Sequence, residues 1–526
     1  MALMSAEAQA SDTPRLVVNI LVDQLRTDYM EAFSSLYGEG GFRRLMNEAR
    51  FYADAQHPFR GADRASAAAT QATGTTPSDH GIVGLTWLSR ATLQPLFCVD
   101  DARYKGLQTT ERSSAAHLLT TTLSDELEQA TGRRAVVYSI CPERDMAVLL
   151  AGHAADGAFW IDDQTGSWCG TSYYGEYPGW AAVYERMEPL GTRLRRLEWT
   201  PRYEGAVSSF HQFHSASAEQ KKGFSHKFAG DRRIRLFKQS ALVNDEVCRF
   251  LQRCLEGSVV GRDYVPDLLN IGLYAANFDH RPVADSPAEL QDTYVKLDSA
   301  LSRIFTSVER VVGRGSALFV VSSTGYADAD TDGRQLEALN IPTGQFDMDK
   351  ASMLLNMYLG AIFGQAQYVE ATRGGQFYLD RKLIEKQQLK LADVLARSEE
   401  FLAQMTGVRE VYTSQRLILA RQDTDAGCLR AGWNASASGD ILVSLLPGWR
   451  LIGSNQTESQ PAGQPYISYP LFFLGPTISP AHLTTPVSTT VVAPTLARCL
   501  HIRAPNGSRE APLEVKSEEV KSEQSK

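Results

Sequence analysis

The chain has 526 residues, 43% of them hydrophobic and 22% charged, the composition of a globular protein with material for a large core. Its formal net charge is −8 and no basic block stands out, which argues against a nucleic-acid partner or an anionic membrane surface. No apolar run approaches the roughly 20 residues of a membrane helix, so no transmembrane segment is expected.

The chain begins MALMSAEAQA, and Ala8-Gln9-Ala10 before Ser11 has the small-residue pattern of a signal cleavage site. Residues 1–10 are therefore read as the remnant of an export signal, with an N-terminal tail as the alternative, and the periplasm or cell surface is the expected location. Arg15 to Val22 (RLVVNILV) is a continuous β-branched apolar run, the pattern of a strand buried on both faces of a parallel sheet. Similar runs follow at Ala135–Ile140, Leu268–Tyr274, Ala317–Val321, Ile441–Leu446 and Pro470–Leu474. Helical patterns lie between them at Gly41–Arg50, Thr121–Thr131 and Ala288–Val312. In the last of these, Leu290, Tyr294, Leu297, Leu301, Ile304, Phe305 and Val308 recur at spacings of three to four.

Strands alternating with helices predict an α/β fold, a doubly wound and mostly parallel sheet with its site beyond the carboxyl ends of the strands. Two stretches interrupt the alternation, at 161–262 and 341–438, and are expected as capping insertions. The core is then 11–160, 263–340 and 439–509. The last 17 residues, EAPLEVKSEEVKSEQSK (510–526), hold almost no large apolar groups and are expected to be disordered. Seven cysteines, including Cys248 and Cys254, show neither C-x-x-C nor zinc-ribbon spacing, and leave the redox compartment and any pairing open.

Asp23 closes the first strand pattern, in LVDQLRTDYM. A carboxylate there is placed either to hold a metal or to cap a helix. Downstream come TGTTPSDHGIVG (Thr73–Gly84), AGHAADGAFW (Ala151–Trp160), ELQDTYVKLD (Glu289–Asp298) and VSTTVVAPTLARCLHIRAPNG (Val487–Gly507). Together and in this order, these segments resemble the alkaline phosphatase superfamily. The resemblance is to the bacterial phosphate-irrepressible alkaline phosphatases, relatives of the type I phosphodiesterase/nucleotide pyrophosphatases. It runs from about Pro14 to Gly507. It implies an alkaline phosphatase-like core, export, and a two-zinc site in which a threonine attacks phosphorus.

Carried over residue by residue, the resemblance exposes losses. The metal aspartate after the first strand matches Asp23. The nucleophile's position is held by Arg64, which cannot attack phosphorus. The asparagine that stabilises the transition state matches Leu85. In AANFDH, His280 supplies a metal histidine while Ala276 replaces its partner aspartate. The family's Asp-His after the next strand reads Ser323-Thr324, and its final histidine matches Ser468. The phosphate-binding Lys-x-Arg aligns with Glu143-Arg144-Asp145, and a one-residue shift would restore only Arg144.

Four of six metal positions thus carry no strong ligand, leaving Asp23 and His280 as a vestige insufficient for zinc, and no cofactor is expected. The expectation is a pseudoenzyme with a binding or scaffold role, its partner or ligand held in the former cleft by Arg64 and Arg144. The alternative is a metal-dependent phosphomonoesterase or phosphodiesterase with a rebuilt site. Lesser candidates are read blandly: His211-x-x-His214 as a solvated loop and Ser66 and Thr70 as helix packing. Asp328, Asp330 and Asp332 resemble a calcium loop whose twelfth position is Leu339 instead of glutamate, and are read as a solvated acidic loop. The sequons at Asn434, Asn455 and Asn506 carry weight only if the source glycosylates its exported proteins, which a bacterial source ordinarily does not.

Overall fold

The first apolar run forms strand β1, Leu16–Asp23, buried along its whole length. Leu16, Val18, Ile20 and Val22 enter one hydrophobic cluster and Val17 and Leu21 a second, on the opposite face. This is the two-residue period of a strand sandwiched between layers. Asn19 is the polar exception in its middle. Its side-chain Nδ2 donates to Asn270 Oδ1 at 2.9 Å, and its Oδ1 accepts from Gln71 Nε2 at 2.6 Å. A buried amide is tolerated because its bonds are made. The computed structural model describes residues 13–203, 223–327, 340, 342–421, 424–453, 456–461 and 468–515. The pair His211/His214 and the triplet Asp328/Asp330/Asp332, with Leu339 and Asn455, lie outside the described residues.

Six further strands build the centre of the main sheet: β2 (Arg50–Gln56), β3 (Val137–Ile140), β4 (Gly157–Ile161), β5 (Asp267–Tyr274), β6 (Ala317–Ser323) and β7 (Tyr469–Leu474). Their order is β2-β7-β6-β1-β5-β3-β4, in a sheet of eleven strands among the described residues. From β6 to β4 all neighbours are parallel; β7 runs antiparallel to both β6 and β2. One face is covered by the helices Arg64–Thr73 (α1), Leu123–Thr131 (α2) and Arg144–Ala151 (α3). The other carries Leu242–Gly257 (α5), preceded by the short Arg233–Lys238 (α4), and Pro287–Val312 (α6). The doubly wound α/β expectation holds.

Three boundaries differ from the sequence reading. The stretch 161–262 is more than a cap. Its strand Trp168–Thr171 extends the sheet beside β4, and α5 packs in the same cluster as α6, with Phe250 stacked on Trp168 at 4.1 Å. The run at Ile441–Leu445 is not a core strand. It pairs antiparallel with Gln376–Leu379 and Val408–Thr413 in a separate four-stranded sheet, inside the second insertion's own hydrophobic cluster. The expected tail begins too early: Val515 is 3% exposed, its carbonyl accepts from Ser479 N–H, and Leu513 N–H donates to Thr495 Oγ1. These contacts, with Leu513 packed on the core and the Arg498–Glu514 ion pair, dock residues 513–515.

At the amino ends of the strands, α2 turns Glu128 into the protein, where the residue is 3% exposed and Oε1 lacks a hydrogen-bond partner. Burial, then the neighbouring carboxylate of Asp156, pushes its pKa up to about 7, against the opposing pull of Arg133. Asp267 at the start of β5 is likewise pushed up by burial, to about 6. A carboxyl raised in the folded state stabilises fully below its unfolded pKa, and that stability is lost as pH rises through the folded value. Glu128→Gln, neutral at every pH, is therefore expected to be the more stable protein by about 1–3 kcal/mol near pH 8.5, the cost of a stranded polar group. Near pH 3.5, below the unfolded value, the two should melt together. Parallel melting curves at the two pH values check this; an unchanged difference between them would refute it.

Candidate active site

Register brings the candidate residues together. Parallel pairing places Asp23, last in β1, opposite Tyr274 of β5, and Val22 opposite Ser323 of β6. The residues that follow these strands, Ala275-Ala276 and Thr324, therefore flank Asp23. Backbone bonds fix them there, from Ala275 N–H to Asp23 O at 2.9 Å and from Thr324 N–H to Val22 O at 3.1 Å.

The substituted positions are used for structure. Thr324 Oγ1 donates to Asp23 Oδ1 at 3.0 Å and accepts from Gln24 N–H at 2.8 Å. Ser323 Oγ accepts from Gly325 N–H at 3.1 Å, and the Ser468 carbonyl accepts from Thr27 N–H at 3.2 Å. Gly325 has φ +67°, and a Cβ there would lie 2.5 Å from the Tyr469 ring and 2.8 Å from His57, so only glycine fits. His57 itself was missed in the sequence. Burial pushes its pKa down to about 4, so the ring is neutral. Its Nε2 lies 2.9 Å from the Thr324 carbonyl, which can only accept, and its Nδ1 lies 2.7 Å from Thr489 Oγ1. That assigns the proton to Nε2.

Arg64 is the first residue of α1. Asp63 caps this helix, accepting from Ser66 N–H at 2.9 Å, and its other oxygen accepts from Leu85 N–H at 2.6 Å. Ser66 completes the capping box and Thr70 bonds His80, as packing residues should. The guanidinium then turns across the cleft. Nε and Nη2 of Arg64 each donate to Asp145 at 2.9 Å, a bidentate pair, with Glu143 at 3.5 Å and Asp23 at 3.7 Å. Asp145 is 1% exposed and sits in the first turn of α3, where a helix favours negative charge.

Lys238 of α4 extends the network. Its Nζ lies 3.0 Å from Glu143 and 2.5 Å from Asp163, and donates to the Ile161 carbonyl at 3.2 Å. Burial would raise the Glu143 carboxyl, but Lys238 and Arg64 outweigh it and hold it down at about 2. For Asp23 burial wins over Arg64 and the Thr324 bond, and its pKa is raised. Nothing in the pattern around Lys238 (RLFKQSAL) announced this role, since an amphipathic helix carries such lysines on its rim by default.

Two expected residues stand apart. Arg144 does not join Arg64. It pairs with Asp100 at 3.0 Å, lies 3.6 Å from Glu111 and 4.3 Å over the Phe97 ring. The helix turn between neighbours 143, 144 and 145 sends its side chain away from its flanking carboxylates. His280 is exposed at the cleft mouth with φ 52°, near enough to lower the Asp23 and Glu143 pKa values by charge.

Where the resemblance puts four of the zinc ligands stand Ala276, Ser323, Thr324 and Ser468, which offer hydroxyl or methyl groups in place of strong ligands; the Ser323 and Thr324 hydroxyls and the Ser468 carbonyl are bonded within the fold. Among the described residues no three His, Cys, Asp or Glu side chains gather in a metal-binding group. A small cleft opens beside Ala276, lined among the described residues by Gln24, Arg26, Tyr29, Ala275, Asn277 and Ala327.

Comparison with known proteins assigns the lineage. The chain is 27% identical to the alkaline phosphatase PafA of Elizabethkingia meningoseptica, over 97% of this chain and 96% of the relative. It is 27% identical to a protein named calcium-transporting ATPase of Myroides odoratus (96% and 94%) and 26% identical to the alkaline phosphatase PhoV of Synechococcus elongatus (94% and 91%). The crystal structure of wild-type PafA superposes with a TM-score of 0.81 at 25% identity, covering 96% of this chain and 99% of that one. A variant of PafA altered at a threonine, an asparagine, a lysine and an arginine superposes at 0.79. The type I phosphodiesterase / nucleotide pyrophosphatase family model matches residues 17–466, and the chain belongs to that family.

Proposed function

We propose that this chain is a pseudoenzyme of its family, which keeps the alkaline phosphatase-like fold for a binding or scaffold role and has given up zinc-dependent phosphoester hydrolysis. The observation that carries this is an exchange of charge in the cleft. Arg64, a fixed cation, stands where the resemblance puts a nucleophile, and the carboxylates of Glu143 and Asp145 stand where it puts phosphate anchors. The spacing of the PafA variant supports the alignment. Its altered threonine and asparagine are as far apart as Arg64 and Leu85, and its altered lysine and arginine are separated by one residue, as Glu143 and Asp145 are. A phosphate dianion entering here meets carboxylates, whose repulsion grows as water is excluded.

A second reading is a phosphomonoesterase or phosphodiesterase with a rebuilt site. The names of the relatives favour it, since alkaline phosphatases match nearly the whole chain. Metal content and hydrolysis of p-nitrophenyl phosphate and bis(p-nitrophenyl) phosphate separate the two. The pseudoenzyme reading expects no stoichiometric zinc and turnover at the buffer rate; bound zinc with turnover lost in Asp23→Ala would establish the second.

The proposal also puts the protein outside the cytoplasm, on the Ala8-Gln9-Ala10 pattern and on kinship with alkaline phosphatases. Among the described residues no helix is long and apolar enough to cross a membrane. None of the seven cysteines forms a disulfide and six are buried, Cys248 and Cys254 among them, which shields them from oxidants.

A further inference from the structure

We propose that the Arg64 guanidinium is the resident cation of the cleft, holding together the carboxylates at the ends of β1 and at the head of α3 so that the fold closes there without a metal ion. This deepens the pseudoenzyme reading and rests on it.

The argument starts from Asp145. At 1% exposure its carboxylate has lost its water, and a buried carboxylate needs a compensating charge and filled lone pairs. Among the described residues Arg64 is the cation within 4.0 Å of it, and it fills one lone pair on each oxygen. Glu143 has a second cation in Lys238, and Asp23 has the Thr324 hydroxyl, so these two depend on Arg64 less. Arginine suits the task better than lysine because its planar fork bonds a carboxylate at two points and gives up hydration more readily.

The network also has reach. Asp23 ends β1, Arg64 heads α1, Glu143 and Asp145 flank the start of α3, and Lys238 brings in α4 and the end of β4 through Ile161 and Asp163. Segments far apart in the chain thus meet on alternating charges at the carboxyl edge of the sheet. A metal ion bound by side chains from several strand ends makes the same kind of cross-link. Here the chain's own arginine makes it.

The test is thermal melting of the full-length protein, with chelator and with added zinc or magnesium, for the parent, Arg64→Met, Arg64→Lys and Arg64→Met/Asp145→Asn. The parent is expected to melt at one temperature in all three conditions. Arg64→Met, which keeps the aliphatic bulk, should fall by about 4 °C or more because it strands a buried charge. Arg64→Lys should fall between the two. The double variant, with no stranded carboxylate, should regain at least half of the loss. If Arg64→Met does not fold, the double variant decides alone: folded supports the proposal, unfolded overturns it. Overturning results are a parent destabilised by chelator, Arg64→Met melting with the parent, or a double variant no better than the single. Phosphatase assays on the same samples keep the failures distinct. Turnover by a parent whose melting ignores metal sinks only the pseudoenzyme reading, and an inactive parent matched in melting by Arg64→Met sinks only the resident cation.

Discussion

Arg64→Thr is expected to hydrolyse p-nitrophenyl phosphate no faster than the parent in zinc-containing buffer, both within about twofold of the uncatalysed rate. Restoring the attacking hydroxyl restores one component of a mechanism whose rate enhancements ordinarily exceed about 10⁶-fold. An alcohol near neutral pH is protonated, and lowering its pKa is work a bound metal performs, as is neutralising the phosphoryl oxygens. On the pseudoenzyme proposal the cleft offers neither. Removing Arg64 makes matters worse, because Asp145 and Glu143 then face an incoming phosphate with one cation fewer. Recovery requires Ala276→Asp, Ser323→Asp, Thr324→His and Ser468→His beside Arg64→Thr, with Asp23 and His280 kept. The gains should be strongly non-additive, since a half-built site holds little metal. The cost in the fold is also visible: Thr324 is fully buried and its hydroxyl bonds Asp23, so a histidine there must displace an existing contact. Measurable turnover by the single Arg64→Thr variant would mean that a metal or another electrophile is already present, and would overturn the pseudoenzyme proposal.

The sheet was legible because burial on both faces leaves a local trace. RLVVNILV could hardly be anything but a central strand, and β5, β6 and β7 showed the same pattern. That trace does not say which sheet a strand joins. Ile441–Leu445 reads like β6, yet pairs with Gln376–Leu379 and Val408–Thr413, and only long-range register decides between them. The site divided in the same way. Losses such as Ala276, Ser323, Thr324 and Ser468 could be read by motif, one residue at a time. What fills the space could not, since Arg64 and Asp145 are 81 residues apart in sequence and their pairing follows from the juxtaposition of α1 and α3. Arg144 illustrates the risk: it was expected to share the former cleft with Arg64, and a helix turn directs it to Asp100 instead. Val515 shows the opposite error, where a composition typical of disorder hides one apolar residue that finds a pocket.

Asp440→Ala should be the most damaging single change outside the main sheet, lowering stability by about 3–5 kcal/mol in urea denaturation. Asp440 is 0% exposed, and its carboxylate accepts three hydrogen bonds and makes one further close ion-pair contact with Arg381 Nη2. Oδ2 takes Arg90 Nη1 at 3.1 Å and Leu379 N–H at 2.9 Å; Oδ1 takes Arg381 Nε at 2.8 Å and Nη2 at 2.5 Å. Arg90 lies on the core side, just beyond the hairpin strand Thr86–Leu88, whereas Asp440, Leu379 and Arg381 belong to the second insertion and its four-stranded sheet. Arg90 also donates to the Ser438 carbonyl at 2.6 Å and lies 5.2 Å over the Tyr378 ring. The carboxylate is therefore both the counter-charge for two arginines and a bolt between the insertion and the core. Its loss removes the carboxylate that, among the described residues, pairs with Arg90 within 4.0 Å, a penalty larger than the net value of the pair. Arg90→Ala should cost less, because Asp440 keeps Arg381 and the Leu379 N–H. The double variant should cost less than the sum of the two, a coupling of about 1 kcal/mol or more for groups in one network. Hydrogen exchange adds a spatial check. In Asp440→Ala, protection should fall first along Gln376–Leu379, while β1 and β5 keep theirs. Uniform loss across both sheets, or strict additivity of the two substitutions, would show that Asp440 supports the fold generally and does not act as the bolt.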